Sequence, residues 1–361
     1  MRYRDETDFD HQRPLATGIL LANVGSPSAP TRRALRPYLK RFLSDPRVIE
    51  DQGVLWWCVL NLVILNTRPK RSAELYRKIW LDEGSPLLVH AQAQAKAMGE
   101  RLRATFGGDL HVELGMAYGE PFIASALERL RRANCRRVLV FPLFPQYSAT
   151  TTASVFDAVT GIFNRARWVP ELRMIGDYHA HPAYIAALAA SIREHWAANG
   201  EPERLLMSFH GLPLRYFRGG DPYHCQCLAT GRLLAAELGL DRDRWFLTFQ
   251  SRFGREEWMH PYTDKTLAEW GAQKVGRVDV VCPGFSSDCL ETLEEIAMEN
   301  RDTFQQAGGG DYHYIPALNQ REDHVAALCQ VVEPHLHGWV AEPREAIAAR
   351  VERAAAHPFN R

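Results

Sequence analysis

The sequence predicts an α/β protein made of two similar doubly wound halves, with parallel sheets arranged around a central cleft. Three observations carry that expectation. Short apolar runs alternate with longer amphipathic stretches along most of the chain, which is the pattern of parallel strands covered by helices on both faces. The run Leu20-Leu21-Ala22-Asn23-Val24-Gly25-Ser26-Pro27 is echoed by Leu206-Met207-Ser208-Phe209-His210-Gly211-Leu212-Pro213, each an apolar stretch followed by Gly-x-Pro. A second echo, Phe141-Pro142-Leu143-Phe144 against Cys282-Pro283-Gly284-Phe285, keeps the same order in each half.

Taken in order, the expected strands lie at 18–25, 111–119, 136–145, 204–211, 244–251 and 277–285, each dense in Val, Ile, Leu and Phe. Between and after them, 121–132, 181–198, 225–238, 263–271 and 290–304 read as helices. At 361 residues the chain exceeds what one core usually serves, and two domains of roughly 150 residues each are expected. Their bounds are placed at 15–178 and 179–340, followed by a tail at 341–361. That tail, rich in Ala, Arg and Glu, has no useful apolar stripe and is expected to be a solvated helix or disordered.

The apolar stretch 54–65 (VLWWCVLNLVIL), within a segment at 53–71, is about 12 residues long, short of the roughly 20 needed to span a bilayer. It reads either as a buried or half-buried helix, or as a lip that covers an apolar ligand or touches a membrane surface. Arg68, Lys70 and Arg71 directly after it keep the second reading in play.

Composition excludes some partners. Lys plus Arg and Asp plus Glu stand at 43 each, so no net field draws the chain to nucleic acid. Seven scattered cysteines argue against a disulfide framework and fit a reducing compartment. The charged N-terminal stretch 1–14 has no apolar signal segment, which makes the cytoplasm the expected location. Neither G-x-G-x-x-G nor a phosphate-binding G-x-x-x-x-G-K-[ST] occurs, and no H-E-x-x-H or G-x-S-x-G is present, so nucleotide, zinc-protease and serine-hydrolase chemistry have no support. Cys225 and Cys227 lack the second pair that a closed zinc site needs.

Two constellations remain. His210 stands at an expected strand end, with Gly211 after it to let another molecule approach the imidazole. Beyond the strand ending near Cys282, Asp288, Glu291, Glu295 and Glu299 follow at helical spacing, so the three glutamates share a face. That face is either a solvated acidic surface or a row of oxygen ligands and proton acceptors leading from the cleft to solvent.

Several motifs, in order, closely resemble those of the ferrochelatase family. They are Leu20-Leu21-Ala22-Asn23-Val24-Gly25, Gly84-Ser85-Pro86, Pro145-Gln146-Tyr147-Ser148, Ser208-Phe209-His210-Gly211-Leu212-Pro213 and Gly220-Asp221-Pro222-Tyr223. Further along come Phe249-Gln250-Ser251-Arg252-Phe253-Gly254, Trp258 with Pro261-x-Thr263-Asp264, Ser287-Asp288-x-x-Glu291-Thr292-Leu293, and Pro316-Ala317-Leu318-Asn319. The resemblance implies a chelatase-like fold around a porphyrin cleft, and insertion of Fe²⁺ into protoporphyrin IX with release of two protons, giving protohaem. It implies His210 and Glu291 as the paired catalytic and metal-contacting residues. Asn23, Val24, Tyr118, Tyr147, Trp258 and Phe285 become porphyrin walls, with Trp56 and Trp57 in the lip.

The chain departs from some members. A cysteine that helps hold a [2Fe-2S] cluster in part of the family is Ala149 here, and no cysteine follows Cys329, so no cluster is expected. Where some members have a histidine between the Asp and Glu of the acidic motif, this chain has Cys289. Other members act on coproporphyrin III; the long apolar lip favours the less polar protoporphyrin. A porphyrin carrier without turnover, or a chelatase for another metal such as cobalt, would be the alternatives.

Overall fold

A computed structural model of the protein describes residues 3–6, 13–107, 109–254, 256–339 and 344–356. Positions 341–343 and 357–361 of the expected tail lie outside the described residues.

In the first half, β1 (Ala16–Asn23) leads into α1 (Arg32–Leu43), α2 (Val54–Cys58), α3 (Leu65–Ile79) and α4 (Pro86–Phe106). Then come β2 (Leu110–Met116), α5 (Ile123–Arg132), β3 (Cys135–Pro142), α6 (Ser154–Phe163) and β4 (Glu171–Met174). After α7 (Pro182–Asn199) the pattern recurs: β5 (Arg204–His210), α8 (Leu214–Arg218), α9 (Tyr223–Leu238), β6 (Trp245–Gln250), α10 (Thr263–Ala272) and β7 (Arg277–Val281). It ends with α11 (Arg301–Gln306), β8 (Asp311–Tyr314), α12 (Glu322–Leu336) and α13 (Arg344–Ala355). Three stretches are π-helical: Val59–Ile64, Ala149–Ala153 and Glu291–Asn300.

Both sheets are parallel, and their orders, β2-β1-β3-β4 and β6-β5-β7-β8, are the same. The two sequence echoes therefore mark equivalent strands. Alternation along a strand assigns the faces: Ile19 and Leu21 point one way and Leu20 and Ala22 the other, as do Leu205 and Met207 against Leu206. One core joins the inner faces of both sheets through α4, α7 and α12, with Met98, Tyr184, Ile192 and Leu328 among its members. Separate outer clusters close each sheet, around Leu127 and Val155 in the first half and Leu267 and Phe304 in the second. The sequence reading omitted β4 and β8, four-residue edge strands with half-exposed, polar-rich runs that carry almost no apolar signal.

The stretch 54–65 is a half-buried helix whose outer face is bare. Val54, Leu55, Trp57, Leu62 and Val63 are 54–82% exposed. Leu60 and Leu65 pack instead on Leu39 and Leu43 of α1, and Trp56 Nε1 donates to the Leu43 carbonyl at 3.0 Å. Pro69 removes one donor just after the π-turn, while Asn66 Nδ2 and Thr67 Oγ1 donate to the carbonyls of Leu62 and Val63. Among the described residues no helix is long and apolar enough to cross a membrane.

Candidate active site

His210 is the last residue of β5, in register with Gln250 of β6. The next residue has to be glycine: Gly211 N–H donates to the Gln250 carbonyl at 2.8 Å, and a Cβ there would lie 2.8 Å from that same oxygen. His210 Nδ1 is 2.7 Å from the Gly211 carbonyl. A carbonyl only accepts, so Nδ1 carries the hydrogen and Nε2 keeps a free lone pair. Burial lowers the imidazole's pKa below its ordinary 6.5, against a smaller upward pull from the Glu291 carboxylate. His210 is therefore a neutral base at neutral pH, within electrostatic reach of Glu291.

Glu291 opens the π-helix that follows the loop after β7. Sequence spacing gave an α-helix here, and the difference has a local cause. Side chains supply donors to its carbonyls, two of them from outside the helix and one from its last residue: Gln250 Nε2 to Glu291, Tyr312 OH to Ile296 and Asn300 Nδ2 to Glu295, each at 2.8 Å. With those acceptors satisfied laterally, the wider i→i+5 turn is tolerated.

The wider turn disperses the expected acidic row. Glu291 sits by Tyr38 and Tyr76, whose hydroxyl pKa values are pushed up by burial first and by the Glu291 charge in addition. Tyr38 OH in turn donates to the Gly25 carbonyl at 3.2 Å, so the tip of β1 and the π-helix meet over this pair of tyrosines. Glu295 is next inward. It accepts from Ser251 N–H at 2.7 Å and from Ser251 Oγ, Ser251 being held at φ +65°. Burial raises its pKa to about 7; the Ser251 hydrogen bonds oppose the rise and the Glu291 charge adds to it. Glu294 turns the other way and pairs with Lys78 of α3 at 2.7 Å. Glu299 is exposed at the far end.

Asp288 does not join that row. Its Oδ1 accepts from Thr292 Oγ1 at 2.8 Å and Tyr314 OH at 2.6 Å, and its Oδ2 accepts from Asn319 Nδ2 at 2.7 Å. Its own N–H donates to Asn319 Oδ1 at 2.8 Å. The carboxylate clamps the loop after β7 to the loop after β8, and is engaged on both oxygens.

The six wall positions are scattered around the strand tips. Asn23 is buried, with Oδ1 accepting from Val24 N–H at 2.7 Å. Val24 is the first-half counterpart of His210. Asn23 pairs with Met116 and Phe209 with Phe249, and Met116 and Phe249 each donate to a proline carbonyl, Pro121 and Pro261, at 2.7 and 2.8 Å. Tyr118 spends its hydroxyl on Asp45 at 2.6 Å, 2.8 Å from Ser154 Oγ. Tyr147 lines a cavity of ≈ 430 Å³ with Glu50, Arg215, Tyr216 and Asp221. Trp258 is buried against Phe253, its Nε1–H without a hydrogen-bond partner among the described residues. Phe285 is half-buried beside the outer core of the second sheet.

Other motif residues lock the halves together. Asp221 Oδ2 accepts from Ala149 N–H at 2.7 Å and Ser148 Oγ at 3.0 Å, and Gln226 Oε1 accepts from Tyr147 N–H at 2.6 Å. Gln146 Nε2 donates to Thr230 Oγ1 at 2.9 Å. Sequence reasoning had not assigned Tyr38, Tyr76, Gln250 or Ser251 to the site. The last two lie within the Phe249–Gly254 motif; the tyrosines carried no signal beyond the apolar spacing of α1 and α3.

The ferrochelatase family model matches residues 16–336. The chain is 55% identical to a ferrochelatase of Thioalkalivibrio sulfidiphilus (strain HL-EbGR7), over 94% of this chain and 92% of that one. It is 53% identical to a ferrochelatase of Aromatoleum aromaticum (strain DSM 19018 / LMG 30748 / EbN1), over 98% of each chain. SirB from Bacillus subtilis, solved with Fe³⁺, shares the fold at a TM-score of 0.52 and 13% identity, covering 90% of this chain and 97% of that one. The strand-tip histidine, a carboxylate within its electrostatic reach and a family match over nearly the whole length lead to one conclusion: the chain belongs to the ferrochelatase family.

Proposed function

We propose that this chain inserts Fe²⁺ into protoporphyrin IX, with His210 and Glu291 as the residues that touch the reacting atoms. As a member of its family it is a metal-inserting lyase of haem synthesis, with porphyrin and iron as substrates. The observation that carries the residue assignment is the tautomer of His210: Nδ1–H is tied to Gly211 and the Nε2 lone pair is left free.

Metal insertion requires that two pyrrole N–H protons leave, that the macrocycle bend so its lone pairs leave the plane, and that Fe²⁺ shed water. A neutral imidazole is a fitting acceptor for the first task. An imidazole nitrogen and a carboxylate are both acceptable but weakly held ligands for Fe²⁺, which suits a metal that must be passed on. Glu295, with a pKa of about 7, is suited to take a proton from the Glu291 side and release it. Asp288, engaged on both oxygens, is left to a structural role, and exposed Glu299 to the solvent end of the path. Asn23, Val24, Tyr118, Tyr147, Trp258 and Phe285 are the proposed porphyrin contacts.

Anaerobic incubation with Fe²⁺ and protoporphyrin IX, followed by loss of porphyrin fluorescence and growth of the haem spectrum, tests this reading. The parent should turn over many equivalents, while His210→Ala and Glu291→Gln fall by at least about a hundredfold. Stoichiometric binding without insertion would overturn it in favour of a carrier, faster insertion of Co²⁺ in favour of another metal, and preference for coproporphyrin III would correct the substrate. We also infer that the chain carries no [2Fe-2S] cluster, as Ala149 stands at a ligand position, and that it works in the cytoplasm. The bare face of Val54, Leu55, Trp57, Leu62 and Val63, with Arg68, Lys70 and Arg71 beside it, supports peripheral contact with an anionic bilayer, which flotation with vesicles would measure.

A further inference from the structure

The second sheet carries a cluster of metal donors that iron insertion does not use. Asp279 of β7 and His313 of β8 are directly paired, so their side chains leave the same face side by side. The C-terminal part of α7 lies over that face and adds His195. His195 Nε2 is 3.2 Å from His313 Nδ1 and 3.6 Å from Asp279 Oδ2, and one donor atom from each residue lies within 4.8 Å of the others. The two imidazole planes stand 89° apart. Asp279 is fully buried and the histidines are half-buried.

We propose that His195, Asp279 and His313 form a second metal site, for a borderline divalent cation such as Zn²⁺ or Co²⁺. Two imidazole nitrogens and one carboxylate oxygen are a common three-ligand set for such ions, with a fourth position left for water. Bonds of about 2.0–2.2 Å at tetrahedral angles separate neighbouring donors by about 3.3–3.6 Å; the His195–Asp279 spacing of 3.6 Å falls in that range and the His195–His313 spacing of 3.2 Å lies just below it. Trp196 Nε1 donates to Asp279 Oδ2 at 3.0 Å and would orient the carboxylate from behind.

The metal-free cluster has its own cation. Arg277 Nε donates to Asp279 Oδ1 at 2.9 Å, while its Nη2 donates to Asp279 Oδ2 at 3.1 Å and lies 3.3 Å from His313 Nδ1. A metal ion has to displace Nη2 from both atoms, although the Nε bond to Oδ1 can stay. Arg277 is thus a built-in competitor that sets the affinity. The site lies within β7 and β8 and under the end of α7, away from the strand tips, so occupancy would tie helix to sheet and stabilise the second half by mass action.

Co²⁺ titration of the full chain carrying His210→Ala, which removes the strand-tip imidazole, tests the proposal through the visible d–d bands of a tetrahedral ion, with Zn²⁺ back-titration. One equivalent should bind. Further replacement of His195 or His313 by Gln should abolish that band, and Arg277→Gln should tighten binding by about tenfold. A band unchanged by both histidine substitutions, or no band at all, overturns the proposal, as does a folded Arg277→Gln chain that binds no tighter. If Arg277→Gln does not fold, the two histidine variants decide the matter, since His195 and His313 are half-buried and melting curves report their folding separately.

Discussion

Gln250 reaches from the end of β6 to donate a 2.8 Å hydrogen bond to the main-chain carbonyl of Glu291. The same side chain accepts from Ser208 Oγ at 2.7 Å, so it is fixed at both ends and holds the first turn of the π-helix in place. Gln250→Ala should misplace Glu291 without removing it. The expected result is a kcat lower by about tenfold to a hundredfold, with the porphyrin KM changed far less. Steady-state kinetics at saturating Fe²⁺ separates the two parameters, and an equal rise in KM would contradict a positioning role.

The free base His210 should titrate below its ordinary value. Burial lowers its pKa and the Glu291 carboxylate raises it, so the acid limb of kcat/KM should lie below pH 6.5. Replacing Glu291 by Gln removes the upward pull. NMR titration of the His210 ring should then give a lower pKa in Glu291→Gln than in the parent, and an unchanged value would mean that the two groups do not interact.

For Glu295 the sign runs the other way. Its pKa is raised to about 7 from an ordinary 4.5, so between those values the folded state holds a proton that the unfolded chain has lost. That contribution to stability is fully present below about pH 4.5 and fades as pH rises through about 7. Denaturant unfolding across this window should show a slope that Glu295→Gln flattens.

The residues that sequence reasoning found and those it missed differ in where their partners lie. His210 ends an apolar strand and Glu291 lies at the far end of the loop after another, and loops at the carboxyl ends of parallel strands are where ligands bind, so position pointed to both and the family resemblance singled them out. The π-helix was hidden because glutamates four apart fit an α-helix equally well. What widens the turn is Gln250, Asn300 and Tyr312, and two of the three lie outside the helix in sequence. Asp288 looked like part of the acidic row for a similar reason, since Tyr314 and Asn319, which occupy its oxygens, come from the end of the next strand and the loop beyond it. The shared strand order of the halves was legible from two short echoes. The cluster at Asp279 was not, because a lone Asp in a strand gives no hint of the imidazoles brought to it by β8 and α7.

Gln94 of α4 crosses between the halves. Its Nε2 reaches the Ser286 carbonyl at 3.1 Å, Ser287 Oγ at 3.1 Å and the Asn319 carbonyl at 2.8 Å. Gln94→Leu would remove this donor from two carbonyls that each keep one other partner, Asn319 N–H on Ser286 and His324 Nδ1 on Asn319, at a cost of about 1–3 kcal/mol. Urea unfolding should show the loss, together with reduced activity, because Ser286 and Ser287 lie in the loop that presents Glu291.

Gly211 offers the sharpest steric test. An added Cβ would lie 2.8 Å from the Gln250 carbonyl and 3.4 Å from Trp258 Cε3. The first contact is with main chain, which cannot rotate away as a flexible side chain would. The tips of β5 and β6 would have to separate, stretching the Gly211 N–H bond to that carbonyl and shifting both His210 and the Gln250 amide that holds Glu291. Gly211→Ala should therefore cost about 1–3 kcal/mol and lower kcat by more than about tenfold. Gly161 is the control: it lies exposed in α6, and among the described residues its added Cβ would meet nothing within 4 Å beyond its chain neighbours and its own helix backbone, so Gly161→Ala should be neutral or stabilise by up to about 1 kcal/mol with activity intact. Equal effects at the two glycines would mean that the packing at the strand tips is not what sets the geometry of His210.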